Sequence, residues 1–494
     1  MTPPMAMIFL LLTFLAISQA QDAATSPAPT VCIIGSGIGG SSVAHFLRKY
    51  SPNSPHPIKI QMFERNGLVG GRMATVNVAG DTFEAGASIL HPKNFHALNY
   101  SKLLNLEFKE KDSSSGSLSL GIWDGKKFVF KTFIVDSNVP LLDKLVSLVN
   151  SLLLFIRYGF SLLKMNTFVE STVARFLKYY EGPASRPIFE TPDEMLKWAD
   201  LYNLTARTLQ DELVDVGLSP LLIKELVTVI TRINYGQSVC ISGLAGAVSL
   251  AGSGGGLWSI KGGNWQMAAG LINQSDVALH LHEGIESIAD LGDFYELNST
   301  KGNSYTCEVA VVAASLDESD IQLIPQISIS KRKTQHTYTT FVRGLLNPAY
   351  FGLSAVVGIP ELVGTVEDPD LPFSSISVLK KYDARDATYK IFSRQPMSDT
   401  LLDSIFSVRK NTIKINWPAY PLYHAPEVFA PFLLDGRHLY YVNAFENAAS
   451  TMETSAVAAE NVARLIVSRY FATMSVHSSE LSTSSHGGES HLDL

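Results

Sequence analysis

A chain of 494 residues that is 46% hydrophobic and 17% charged can bury large apolar cores and form more than one domain. Its formal charge of −7 excludes the basic footprint of a nucleic-acid-binding protein, so no nucleic-acid partner is expected. Three cysteines, with no Cys-x-x-Cys pair and no His-Glu-x-x-His, exclude a disulfide-built scaffold and give no support to a metal site.

The first 20 residues read as a secretory signal peptide. Met7 to Ile17 form its apolar core, and Ser18-Gln-Ala20 is a small-x-small cleavage site; the flaw is a leading segment without Lys or Arg. Gln21 to Pro29 would be a leader. Sequons at Asn99, Asn203, Asn273 and Asn298 agree with luminal passage, and any occupied one must lie on the surface.

Val31 to Ile34 read as a buried strand. Gly35-x-Gly37-x-Gly39-Gly40 follows at once, then a helix through Ser41 to Tyr50 with Val43, Ala44, Phe46 and Leu47 on its apolar face. Strand, glycine turn and helix are the parts of a dinucleotide site: Gly35 makes the tight turn, Gly37 admits a pyrophosphate, and Gly40 lets helix pack on strand. A second strand, Ile58 to Phe63, ends in Glu64, 24 residues after Gly40, where an acid accepts from a ribose hydroxyl. Cys32 lies within the first strand as a core residue; whether Cys240 and Cys307 pair is open.

Gly70-Gly71-Arg72 again brings backbone close to a ligand. Arg72 is either a phosphate or carboxylate partner or a solvated residue of a hairpin turn. Gly86-Ala87-Ser88 are small, as if something flat lay against them.

After a loop at Ser113 to Ser117, Gly121-Ile-Trp and Phe128-Val-Phe flank an Asp124-Gly-Lys turn. Val139 to Met165 is the most apolar stretch after the signal, interrupted by Asp143, Lys144, Arg157 and Lys164. It admits three readings: a buried core helix, the wall of an apolar channel, or a helix lying in a membrane surface. Thr191-Pro-Asp-Glu is a capping box, and Ser219-Pro opens another helix that ends at Tyr235-Gly-Gln.

Gly252 to Gly256 read as a flexible loop. Gly262-Gly263 precede a helix over Met267 to Ile272; strands are expected at Val277, at Ile285 and over Glu308 to Ser315. Between 321 and 429 the clearest strands begin at Tyr338, Ser375, Tyr389 and Thr412, a mixed sheet covered by the earlier helices. Leu439 to Phe445 is the last strand. A helix begins near Thr451, its start placed to stabilise negative charge, and the tail from 471 to 494 reads as disordered.

Glycine fingerprint, terminal Glu64, Gly70-Gly71-Arg72 and Glu84-Ala-Gly-Ala run in the order found in FAD-dependent amine oxidases, phytoene desaturases and protoporphyrinogen oxidases. The chain resembles that superfamily. Gly86-Ala-Ser, Leu257-Trp-Ser-Ile-Lys-Gly-Gly-Asn and Ser450-Thr-Met-Glu-Thr-Ser-Ala resemble its prenylcysteine oxidase (farnesylcysteine lyase) branch. The resemblance implies an α/β fold: a discontinuous Rossmann-like FAD-binding domain (30–100, 257–320, 430–470) and a substrate domain of mixed sheet and helices (101–256, 321–429). It implies FAD as cofactor, contacted also by Arg65, Gly71, Arg72, Gly86, Ala87, Ser88, Met452 and Glu453, with Val277 pairing its backbone to the adenine. Lys261 is the candidate for positioning water at the ring, and no catalytic acid or base is otherwise assigned.

The implied activity is oxidation of farnesyl- or geranylgeranylcysteine by O2 to prenyl aldehyde, cysteine and hydrogen peroxide, in a lysosome or vacuole. Leu145 to Phe155 would wall the prenyl channel, and 139–165 would serve in peripheral membrane association. Two rivals stand beside this reading: another FAD oxidase, such as a polyamine oxidase, and a non-catalytic prenyl carrier of the dissociation-inhibitor type.

Overall fold

The computed structural model describes residues 29–51, 58–109, 119–133 and 140–471. The expected signal peptide, the leader up to residue 28, the Ser113 to Ser117 loop and the tail beyond 471 lie outside the described residues.

In chain order the strands open with β1 (Thr30–Ile34), β2 (Lys59–Glu64), the hairpin β3 (Thr75–Val78) and β4 (Asp81–Glu84), and the pair β5 (Leu120–Trp123) and β6 (Phe128–Lys131). Next come β7 (Val277–Leu281), β8 (Ile285–Asp290), β9 (Tyr295–Ser299), β10 (Ser304–Cys307), β11 (Val309–Val312) and β12 (Gln322–Ile324). The last are β13 (Thr334–Leu346), β14 (Leu362–Thr365), β15 (Ser375–Asp383), β16 (Asp386–Ser393), β17 (Phe406–Pro421) and β18 (Leu439–Tyr441). The helices used below are α1 (Ile38–Tyr50), α2 (Phe95–Leu103), α3 (Pro140–Tyr158), α4 (Ser161–Phe176), α5 (Gly243–Ala251), α6 (Trp265–Gln274) and α7 (Met452–Ile466).

Five strands in the order β18-β11-β1-β2-β7 form a wholly parallel sheet. Helices α1, α6 and α7 pack together beside it. Val31, Cys32, Ile33 and Val309 to Val312 are at most 1% exposed, as expected of strands covered on both faces. The first glycine turn is dictated by contact: a β-carbon at Gly40 would lie 2.0 Å from the Gly35 carbonyl oxygen, so helix and strand meet this closely only without one.

A second sheet, in the order β17-β13-β16-β15-β14-β5-β6, is antiparallel except where β14 meets β5. The β3–β4 hairpin docks on it through Val78, Phe83, Ala85 and Phe341. Helices from 140 to 251 cover another part of the sheet, with Val229 packed on Ile122 and Phe130. The capping box at Thr191 and Glu194 forms as the sequence indicates, and Gly236 ends Thr228–Tyr235 in a left-handed turn.

Helix α3 overturns the core-helix expectation. Leu145, Leu148, Leu152, Phe155 and Ile156 recur at helical spacing and are 41–71% exposed. Three polar residues face inward instead: Asn150 and Tyr158 are buried, and Glu225 accepts two 2.7 Å hydrogen bonds from Arg157 and one of 2.9 Å from the Tyr158 hydroxyl. Phe160 and Leu163 continue the apolar surface onto α4 across a 99° bend. Among the described residues no single helix is long and apolar enough to cross a membrane. All three cysteines are free; Cys240 is exposed, whereas Cys307 is buried beside Cys32.

Candidate active site

A cavity of about 740 Å³ separates the carboxyl ends of the parallel strands from the seven-stranded sheet and the helical layer. That is toward the upper end of the roughly 300–1,000 Å³ usual for ligand sites. One end is lined by Gly35 to Gly39, Glu64 and Arg65; the middle by Gly70 to Arg72, Gly86 to Ser88, Glu446, Met452 and Glu453. The far end is apolar, lined by Val173 and Phe176 of α4, by Leu244, Ala247 and Val248 of α5, and by Leu257.

The first end suits a dinucleotide. Helix α1 has Gly37 as its N-cap with no side-chain cap hydrogen bond and no acid in its first turn. Its opening amides therefore remain available to an anion at the cavity. Gly37 and Gly70 pair as an isolated bridge, so this wall is backbone without side chains. The Glu64 carboxylate is fixed by the Ser36 hydroxyl (2.6 Å) and amide (3.2 Å) on one oxygen, and by the Asn66 amide and side chain (both 2.9 Å) on the other. Its lone-pair sites are thus all engaged, and a ribose hydroxyl would have to displace one of these donors.

In the middle, Arg72 forms an ion pair with buried Glu446 and donates to the Ala419 carbonyl (2.7 Å). The carboxylate that Arg72 meets is thus one of the chain's own, while the Arg72 side chain also lines the cavity. Burial would raise the Glu446 pKa, but Arg72 outweighs it and holds the carboxyl at about 2. Gly86 is small for a reason other than a flat ligand: a β-carbon there would lie 1.9 Å from the Arg72 carbonyl oxygen. Ala87 N donates to that same oxygen (3.0 Å), leaving Ala87 and Ser88 to face the cavity. Met452 lines the cavity beside Glu453. The Glu453 carboxylate accepts from His96 N (2.7 Å), Ala97 N (3.1 Å) and the Tyr180 hydroxyl (2.6 Å), so it secures the start of α2.

Three expectations are corrected. Lys261 does not reach the cavity: in the bridge that pairs Phe108 with Ile260, Ile260 turns inward and Lys261 outward, to an exposed ion pair with Glu107 (2.7 Å). Val277 pairs with Ile60 at the opening end of β7, whereas the cavity lies at the carboxyl ends, where Ile285 lines it. Leu145 to Phe155 do not line the cavity; α4 and α5 form its apolar wall. Of the sequons, Asn99, Asn203 and Asn273 are exposed, and Asn298 is half-buried with its side chain donating to Ser287 Oγ (3.2 Å).

Some residues escaped the sequence reading. Lys390 of β16 is buried and donates to Ser88 Oγ (3.0 Å) and the Glu84 carbonyl (2.9 Å). Burial pulls its pKa down to about 8, and burial pushes that of Glu84 up to about 7. The signal in the sequence was slight: a lone cation in alternation with Thr388 and Phe392, between Tyr389 and Ile391. Tyr235 and Tyr420 meet edge to face at 4.8 Å on the cavity wall.

The prenylcysteine lyase family model matches residues 141–478. The chain belongs to this family. A Rossmann-like NAD(P)-binding domain model matches residues 33–102. The chain is 65% identical to farnesylcysteine lyase of Arabidopsis thaliana over 94% of its length and 92% of that protein's. It is 33% identical to prenylcysteine oxidase 1 of Homo sapiens over 90% of both chains. Among solved structures it resembles a redesigned putrescine oxidase (TM-score 0.58, 11% identity, 89% of this chain and 99% of that one). Cyclohexylamine oxidase from Brevibacterium oxydans is similar (TM-score 0.57, 17% identity, 89% and 99%). At these identities the two structures speak for the fold, which is the amine-oxidase type.

Proposed function

We propose that this family member oxidises farnesylcysteine, and by extension geranylgeranylcysteine, with O2, yielding prenyl aldehyde, cysteine and hydrogen peroxide. One observation carries the proposal: a single cavity joins an uncapped, glycine-walled helix start to an apolar arm between α4 and α5. The first end would hold FAD, with Gly37 to Gly39 at the pyrophosphate, Glu64 at a ribose and Arg72, Ala87 and Ser88 near the ring. Bound there, FAD would supply the two-electron acceptor that no side chain can provide. The chain's own residues bind and orient: the apolar arm takes the prenyl tail and excludes water, and the Arg72–Glu446 pair sets a fixed dipole beside the reacting region. The names of the relatives support the substrate class.

An absorption spectrum of the purified protein, followed by anaerobic addition of farnesylcysteine, tests the proposal. The visible flavin band is expected to bleach with farnesylcysteine and not with spermine. Bleaching by spermine alone would favour the polyamine oxidase rival, and a colourless protein that binds prenyl groups would favour the carrier.

The exposed apolar face of α3 and α4 supports peripheral association with a membrane, where prenylated products are generated. Replacing Leu152 and Ile156 by Glu should reduce sedimentation with phospholipid vesicles; equal sedimentation would refute this. The amino-terminal signal and the exposed sequons support residence in the secretory pathway and delivery to a lysosome or vacuole. A gel shift on deglycosylation, lost in Asn99, Asn203 and Asn273 variants, tests the route.

A further inference from the structure

The floor of the cavity is one face of the sheet made by β13, β16 and β17. Thr337 and Thr339, two apart on β13, project from the same face. In the ladder Thr337 lies opposite Trp417 and Thr339 opposite Phe392, and all four line the cavity. Both threonine hydroxyl oxygens are buried, and neither has a hydrogen-bond partner; Thr339 is 1% exposed. Nearby hydroxyls on β16 do find partners: Thr388 meets the Tyr382 hydroxyl (3.0 Å), and Ser393 donates to Gln395 O (2.7 Å). Two orphan hydroxyls between aromatic rings call for a polar guest from outside the protein.

The same floor is fastened to the chain beside which the reaction would occur. Trp417 Nε1 donates to Ala85 O (3.0 Å), and Lys390 Nζ to Glu84 O and Ser88 Oγ. Thr337 and Thr339 therefore line the cavity next to Gly86 to Ser88, with their hydroxyl oxygens shielded from bulk solvent.

We propose that Thr337 and Thr339 hold the water that adds to the oxidised carbon of the thioether, an inference that rests on the prenylcysteine reading. Oxidation of R–CH2–S–Cys, with O2 as terminal acceptor, removes a hydride from C1 and leaves R–CH=S⁺–Cys. A water oxygen then forms the C–O bond, and the proton it sheds joins the hydride on O2 as hydrogen peroxide. The hemithioacetal passes its O–H proton to sulfur as the C–S bond breaks, releasing R–CHO and cysteine. Among the described residues, Thr337 and Thr339 carry the buried hydroxyls on this floor that have no partner, and so are placed to seat that water. Each hydroxyl has one donor and two acceptor sites, so the pair can hold a water and leave one of its lone pairs directed at carbon. Thr337 and Thr339 are thus positioning residues.

The test uses the flavin-loaded enzyme with Thr339→Val, Thr337→Val, the double variant and Thr339→Ser. Valine keeps the branched shape and removes only the hydroxyl. After anaerobic mixing with farnesylcysteine, Thr339→Val should bleach at the wild-type rate but release farnesal and cysteine about ten-fold more slowly, and the serine variant should restore release. Affinity for saturated S-decylcysteine, read from tryptophan fluorescence, should not change, and thermal stability should not fall. Slowed bleaching or weakened S-decylcysteine binding in the valine variants would assign the hydroxyls to the substrate and overturn the water site. Unchanged product release would overturn it as well. Failure of the wild type to bleach with any prenyl thioether would instead remove the prenylcysteine reading, and this inference with it.

Discussion

Replacing Arg72 by methionine isolates the ion pair set into the middle of the cavity wall. Glu446 has a side chain 4% exposed, and its pKa falls from 4.5 to about 2 because Arg72, helped by the Asn443 amide and by Arg332 at longer range, outweighs its burial. That fall corresponds to roughly 3 kcal/mol of stability. Because the folded-state value is the lower one, the contribution is complete above the unfolded value near 4.5 and is lost as pH drops through about 2. In Arg72→Met the carboxylate keeps hydrogen bonds from Ser450 Oγ (2.7 Å) and Asn443 Nδ2 (2.9 Å) but loses its contacting cation. A buried charge left in this way costs about 3–5 kcal/mol at neutral pH, and the two remaining donors place the expectation near the lower figure. The loss should shrink on acidification, since protonated Glu446 no longer needs a cation. The double variant Arg72→Met, Glu446→Gln should recover most of it. Urea denaturation of the three proteins at about pH 7 and about pH 4, followed by fluorescence, measures each quantity. A loss under about 1 kcal/mol at neutral pH, or an equal loss at both pH values, would refute the reasoning.

Further outcomes follow from the same structure. Gly40→Ala forces a β-carbon to within 2.0 Å of the Gly35 carbonyl oxygen, so the turn must open and the purified protein should lose most of its flavin colour; full colour would sink the assignment. Lys261→Ala removes a solvent-exposed pair with Glu107 and should leave both thermal stability and turnover unchanged; a collapse of turnover would return Lys261 to the site. Glu84, raised by burial to about 7, favours the folded state most below its unfolded value of 4.5 and loses that contribution as pH rises through about 7. Glu84→Gln, which cannot ionise, should flatten the stability profile across that window and be the more stable protein above it. An unchanged slope in a pH series of denaturation midpoints would show that another group titrates there.

The parts of this protein that depend on neighbouring residues were legible before any coordinates. The glycine turn, the strand ending in Glu64, the capping box at Thr191 and the helix opening at Thr451 each encode a backbone need met within a few residues. Composition alone could not phase the apolar run after 139. Helical spacing of Leu145, Leu148 and Leu152 describes a stripe, but only the bonding of Asn150 to the Phe133 backbone and of Arg157 and Tyr158 to Glu225 shows that the stripe faces outward. Lys261 and Lys390 exchange roles for a similar reason: the direction of each side chain depends on pairing with a distant segment, Lys390 through its register with Phe341 on β13 and Lys261 through the bridge between Phe108 and Ile260 beside it. The same holds for Arg72 with Glu446 and for Thr339 beside Phe392. Local chemistry determined which elements form and where a dinucleotide end would lie. The walls of the cavity, and which charges and hydroxyls they turn inward, were decided by long-range pairing of strands and helices, because a residue's face is set by what it packs against and not by its own type.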